Sequence, residues 1–291
     1  MLNISMVIPT LNAAEELSSL LERLASQSRS LEEIVVVDSS SDDETCAIAE
    51  RHPSVKVIEI ARTDFNHGLT RDLALRETSG DVVCFLTQDA MPVDNFYIEN
   101  LVAPIEADPK IALVSGRQLP KKDARRFEQL VRAYNYPAHS NVRTIDDLPR
   151  LGIKAYFASD VCSAYRRQAY LSVGGFDEVK TNEDMLMAAR LLKAGYKVAY
   201  SAEAEVFHSH NLTAEEQYRR NRVVGEFLSE YGDELAIPDE IGEGSRLVKS
   251  VLNTLLKEGR AGEAVSFLAD CAARYVGNRV GRMDAAKRGN Q

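Results

Sequence analysis

An α/β fold built on a mostly parallel sheet is what this 291-residue sequence predicts, on two observations. Short runs rich in β-branched residues recur at Ile4 to Ile8, Ile34 to Val37, Val55 to Ile60 and Val82 to Leu86. The stretches between them have helical spacing instead, and strands alternating with helices are how a chain covers both faces of a parallel sheet. A hydrophobic content of 45% is ample for the buried core that such a layer needs.

The elements follow in order. Leu17, Leu20, Leu21 and Leu24 fall at i, i+3, i+4 and i+7 and give one apolar helix face between the first two strands. Beyond Pro92, helices over Phe96 to Ile105 and Arg125 to Tyr134 frame a strand at Ile111 to Ser115. A strand around Val161 to Tyr165, a helix from Glu183 to Ala194 and a strand from Lys197 to Phe207 complete this part. From about Glu215 the texture changes. Residues 215 to 244 are strongly acidic, whereas the chain from Arg246 carries nine Lys or Arg against four acids. Val248, Val251, Leu252, Leu255 and Leu256 form one amphipathic stripe there, and Ala264, Phe267 and Leu268 with Cys271 form another. Two readings stand side by side: helices that pack on the α/β layer, or a basic amphipathic tail on an anionic membrane surface.

Charge and cysteine use narrow the classes. A formal net charge of -9 argues against a general nucleic-acid binder, which would show a basic balance. The start, MLNISMVIPTLN, has no basic leader with an apolar core, and no run reaches about 18 apolar residues, so a cytoplasmic protein without a spanning helix is expected. Cys46, Cys84, Cys162 and Cys271 are far apart and form no CxxC pair, which suggests neither a zinc site nor a disulfide framework.

In an open parallel sheet, ligands sit beyond the carboxyl ends of the strands. Those ends are polar here: Pro9-Thr10-Leu11-Asn12, Asp38-Ser39-Ser40-Ser41 and Thr87-Gln88-Asp89. Taken singly, Asp38 reads equally as a helix cap and Asp89 as a turn residue. Three polar strand ends converging on one crevice favour a site. No GxGxxG and no GxxxxGK[ST] is present, which leaves a nucleotide site made of side chains and a metal rather than a glycine-rich loop.

The motifs PTLN, VVDSSSDDE, FNHGLTRDLA, FLTQDAMP, SGRQLP, SDVCSAYRR, GGFDE and NEDMLMAARLLKAGYKVAYSAEAEVFHSHN, in this order, resemble the rhamnosyltransferase-like branch of the family 2 glycosyltransferases. The resemblance runs from Ile4 to about Thr213, and the helices of the tail look like those that follow in that branch. It implies an inverting enzyme with the GT-A fold over residues 1–213 and a C-terminal helical region over 214–291, for which packing on the catalytic layer and peripheral membrane contact both stay open. The expected reaction moves L-rhamnose from dTDP-β-L-rhamnose to a hydroxyl of a surface-polysaccharide or lipid-linked acceptor, at the inner face of the cell membrane. A UDP-hexose donor, or a nucleotide-binding partner subunit without catalysis, are the alternatives.

The resemblance also implies roles. Pro9, Thr10, Asn12, Asp38 and Ser40 match the donor-binding strand ends, with Asp38 accepting from the ring N–H of the pyrimidine. His67 and Arg71 face the base and diphosphate, and Gln88 and Glu183 line the donor side. Asp89 is the surviving acid of a DxD-type motif for Mg²⁺ or Mn²⁺, the first acid being replaced by Gln88 and the third position by Ala90. His208 and His210 offer further ligands, their spacing placing both imidazoles on one strand face. Asp184 of the ED pair is the expected general base, although an acid in a first helical turn also suits the helix dipole alone.

Overall fold

The computed structural model describes residues 1–235 and 242–289. Residues 236–241, part of the acidic stretch, and the last two residues lie outside the described ones. The chain groups into two compact units. The first comprises Met1–Gln118, Pro137–Val179 and Glu183–His208, and the second comprises Leu119–Tyr136, Lys180–Asn182 and Ser209–Gln291.

The first unit opens with β1 (Ile4–Thr10), α1 (Ala14–Ala25), β2 (Glu33–Asp38), α2 (Thr45–Glu50), β3 (Val55–Glu59), α3 (His67–Arg76), β4 (Val82–Leu86), β5 (Met91–Pro92), α4 (Tyr97–Ala107) and β6 (Ile111–Leu119). After α5 (Arg126–Asn135), which belongs to the second unit, it resumes with β7 (Asn141–Arg143), α6 (Leu148–Leu151), β8 (Cys162–Arg166), α7 (Arg167–Ser172), α8 (Glu183–Lys193) and β9 (Lys197–Phe207). The second unit adds α9 (Ala214–Glu230), α10 (Gly232–Leu235), α11 (Gly242–Lys257) and α12 (Ala261–Gly289).

The strands form one sheet in the order β3-β2-β1-β4-β8-β6-β9-β5, with β7 also pairing β9. β1, β2, β3 and β4 are parallel, and β8 runs antiparallel to β4 and to β6. The sheet is therefore mixed and mostly parallel around the strands that carry the polar ends. β4 is buried along its whole length between β1 and β8, which is why it reads as an unbroken apolar run. β3 at the edge alternates between half-buried and exposed. The leucine face of α1 is buried as its spacing requires, with Glu15 and Glu16 in the first turn and Arg23 in the last to suit the helix dipole. The two- and three-residue strands β5 and β7, both paired with β9, carry no periodicity to detect at that length.

The second unit has its own core. Phe127 and Val131 of α5, Val251 and Leu255 of α11, and Ala264 and Phe267 of α12 bury one another, the two phenyl rings lying 5.7 Å apart. α9 and α12 approach backbone to backbone. A Cβ added at Gly225, Gly277 or Gly281 would fall well inside contact distance of the carbonyl oxygens of Asn278, Tyr218 and Arg222 respectively. Among the described residues no helix is long and apolar enough to cross a membrane.

Candidate active site

The ends of β1, β2 and β4 and the start of α3 enclose a cavity of about 310 Å³. Pro9, Thr10 and Leu11 form one wall, Ser39 another, and Thr87 and Gln88 a third. Arg62, Phe65, His67 and Arg71 close it from the side of α3. Asn66 sets that helix start in place: its side chain accepts from the backbone N–H groups of Gly68 and Leu69, at 3.0 and 3.1 Å. Phe65 stands edge-on to His67 with centroids 5.0 Å apart, leaving an aromatic surface on which a flat base can rest.

Two strand-end side chains are engaged within their own loop. Asp38 is fully buried, and its carboxylate accepts from Thr10 Oγ1 (3.0 Å), Ser41 Oγ (2.6 Å) and Ser41 N (2.7 Å). It holds the loop. Ser40 is exposed, with φ 58°, and donates its hydroxyl to the Ile60 carbonyl (2.8 Å), so it too faces away from the cavity. Ser39, between them, lines the cavity, and its buried hydroxyl has no hydrogen-bond partner among the described residues. Thr87 Oγ1 is in the same condition. Buried polar atoms left unpaired around a cavity are what a polar ligand would satisfy.

Asn12 is also a loop brace rather than a lining residue. At φ 51°, its N–H donates to Ser41 Oγ and its side-chain oxygen accepts from Asp42 N, both at 2.8 Å. Gln88 lines the cavity, but its amide is occupied, accepting from Leu11 N (2.8 Å) and donating to Leu11 O (3.1 Å).

Arg71 is nearly buried and held on two sides, donating to the His67 carbonyl (2.9 Å) and pairing with Glu183 at 3.1 Å. Glu183 thus fixes the guanidinium instead of facing a ligand itself. Its neighbour Asp184 is half-buried as a residue, yet its carboxyl is desolvated: Oδ1 accepts from Met185 N (2.7 Å) and Oδ2 from Asp160 N (3.2 Å). Burial raises its pKa well above the usual carboxylate range, and the charges of Glu183 and Asp160 raise it further.

Asp160 is the acid that sequence reasoning passed over within SDVCSAYRR. It is buried, its Oδ1 accepts from Ser163 Oγ (2.6 Å) and Tyr165 OH (2.8 Å), and its Oδ2 has no hydrogen-bond partner among the described residues. Burial raises its pKa as well, with Arg71 opposing and Glu183 adding to the rise. Three acids around one arginine cannot all ionise cheaply in such a place. Asp160→Asn removes one of the negative charges beside Asp184, so Asp184 should ionise at lower pH. The acid limb of the kcat profile is expected to move to lower pH, and an unmoved limb would disconnect the two acids.

Asp89 Oδ2 lies 3.4 Å from His208 Nε2. The other ring nitrogen of His208, Nδ1, is 3.0 Å from Gln118 Oε1; the tautomer with its proton on Nδ1 would leave Nε2 open to an ion beside Asp89. A carboxylate and an unprotonated imidazole nitrogen at this spacing fit two corners of a divalent-ion site, with Gln118 orienting the histidine. Gln118 is itself buried and bound to Ser159 Oγ (2.9 Å). β9 ends at Phe207, before either histidine; His208 is buried and His210 exposed.

The comparisons with known proteins agree with this geometry. The family model of glycosyl transferase family 2 matches residues 5–174. The chain is 39% identical over 290 residues to the O-antigen chain rhamnosyltransferase RfbN of Salmonella typhimurium, covering 97% of this chain and 90% of that one. To WbaN of Salmonella anatum, also an O-antigen chain rhamnosyltransferase, it is 35% identical over 96% of this chain and 89% of the other. Among solved structures, the mannosyltransferase PcManGT from Pyrobaculum calidifontis, in complex with GDP-Man and Mn²⁺, superposes with a TM-score of 0.63 at 20% identity, over 99% of this chain and 87% of that one. S. aureus TarS residues 1–349 give 0.55 at 16% identity, over 99% and 92%. These structural likenesses establish the GT-A fold, and the sequence matches establish the family: the chain is a glycosyltransferase belonging to glycosyl transferase family 2.

Proposed function

We propose that the protein transfers L-rhamnose from dTDP-β-L-rhamnose to a hydroxyl group of a growing surface polysaccharide on a lipid carrier. The observation that carries this reading is the nearly full-length similarity to two O-antigen chain rhamnosyltransferases. Residues 1–213 carry the chemistry in this reading, and 214–291 form a helical region at the inner face of the cell membrane.

The base lies against Phe65 and His67, with Ser39, Thr10 and Thr87 as its polar contacts, and Arg71 faces the diphosphate. Glu183 and the His67 carbonyl pre-aim that guanidinium, so no reorganisation is needed when the charge arrives. Asp89 and His208, with His210 as a third ligand, would hold Mg²⁺ or Mn²⁺, which neutralises charge on the departing nucleoside diphosphate. Asp184 takes the proton of the acceptor hydroxyl as its oxygen bonds to the anomeric carbon, and the bond from that carbon to the diphosphate oxygen breaks on the opposite face. The configuration inverts and no sugar–enzyme bond forms.

Titration of the purified protein with dTDP-rhamnose, UDP-glucose, UDP-galactose and GDP-mannose, with and without Mn²⁺, tests this. Binding of dTDP-rhamnose alone, strengthened by Mn²⁺, is the expected result. Asp89→Ala should remove the Mn²⁺ enhancement. Preference for a UDP-hexose would replace the donor, and an unchanged Mn²⁺ response in Asp89→Ala would take Asp89 out of the metal site.

A further inference from the structure

α12 has an outward face that its packing does not explain. Its inward side is accounted for, since Ala264, Phe267, Asp270, Gly277 and Gly281 are buried. On the opposite side Val265, Leu268, Tyr275, Val276 and Met283 are all large, apolar and exposed, Val265 and Tyr275 by 68% and 67%. At 100° per residue these five, with Ala272, fall in one stripe, which at 1.5 Å per residue runs about 27 Å along the helix. A lone exposed valine means little, but a continuous stripe of this length does not persist in water without an occupant.

Charge identifies the occupant. α12 has three acids, and each is drawn off the stripe into an ion pair: Glu263 with Arg260 (2.7 Å), Asp270 with Arg274 (2.6 Å) and Asp284 with Arg222 (2.7 Å). Of its exposed basic residues Arg288 pairs with Glu226 (2.9 Å), whereas Arg279, Arg282 and Lys287 have no ion-pair partner among the described residues, and all three sit toward the C-terminal end. The outward face is thus apolar and purely cationic on a chain whose net charge is -9. A second copy of the same helix would not match it. Antiparallel pairing lays the three cations against the Val265 end, where the acids Glu258 and Glu263 are already paired with Arg126 and Arg260, and parallel pairing sets cation on cation. An anionic lipid surface satisfies both halves of the pattern, taking the stripe into the headgroup boundary and the cations onto phosphate.

We propose that the outward face of α12 is a docking surface for an anionic bilayer, on which the helix lies flat. The proposal deepens the reading of a lipid-carried acceptor and rests on that reading for its purpose. It requires no spanning segment.

The test is flotation of the full-length protein with vesicles of phosphatidylcholine alone or with added phosphatidylglycerol. The wild type should bind the anionic vesicles and leave the neutral ones. Arg279→Gln/Lys287→Gln should weaken partition about 30-fold, a factor of about five for each basic residue. Val265→Ser/Leu268→Ser/Val276→Ser should weaken it about 10-fold or more, as expected for apolar side chains returned to water. Donor binding should be unchanged in both, because these side chains lie outside the donor cavity. Equal binding to both vesicle types, no binding to either, or wild-type partition in both variants would overturn the proposal. So would a wild-type dimer in sedimentation that the serine variant converts to monomer, since a second copy would then be the occupant. Loss of dTDP-rhamnose binding with anionic partition intact would instead sink the donor assignment and leave the docking face standing.

Discussion

Replacing Asp184 by asparagine will lower turnover by about 10²- to 10⁴-fold while donor affinity stays unchanged. The amide cannot take a proton from the acceptor hydroxyl, yet it keeps the size of the carboxyl and one of the two acceptor positions now filled by Met185 N and Asp160 N. The ion pair of Arg71 and Glu183 beside the cavity is untouched. Single-turnover rates and calorimetric donor affinity measured on one preparation separate the outcomes. Parallel losses in both would make Asp184 a structural residue. The raised pKa of Asp184 gives two pH dependences of opposite sign. Activity should climb with pH as the carboxyl ionises, along a limb above the ordinary carboxylate range. The folded protein holds that proton at pH values where the unfolded chain has released it, so the stability contributed by Asp184 falls as pH rises from the unfolded carboxylate value through the raised one.

Gly281→Ala will destabilise the second unit by about 2 kcal/mol, although alanine is the better helix former. The helix preference alone favours the change by about 1 kcal/mol. Against it, the new methyl meets the backbone of Arg222 and Glu226 and no yielding side-chain end, so overpacking at about 3 kcal/mol, the upper end of the usual range, decides the sign. Urea unfolding followed by far-ultraviolet circular dichroism reads the change. A gain in stability would mean that α9 and α12 do not touch along their backbones.

The sheet was legible because burial writes itself into composition. β2 and β4 are buried and appear as unbroken apolar runs, while the leucines of α1 repeat at helical spacing. β5 and β7 are too short to show a period and exist through their pairing with β9. The site was legible in its location and less so in its roles. Asp38 and Ser39 are adjacent, and nothing in a string of letters says which side chain turns inward; in the fold the carboxylate caps its own loop and the hydroxyl faces the cavity. Asp160 and Asp184 are 24 positions apart, so the hydrogen bond that couples them has no local trace. Gln118 could have been weighed more heavily. An uncharged polar residue on the otherwise buried β6 needs partners, and it finds Ser159 and His208.

The grip of Gln88 on Leu11 bears on any attempt to rebuild the metal motif. A carboxamide can both donate and accept, and Gln88 uses both ends, joining the tip of β4 to the tip of β1 across the mouth of the cavity. An aspartate at this position would be shorter by one carbon and could only accept, leaving the Leu11 carbonyl without its donor and setting a second negative charge beside Asp89. Restoring the acid that the general family pattern places there would therefore exchange a rivet between two strand ends for an extra ligand. The present sequence keeps the two-ended bond and the rigid rim that goes with it.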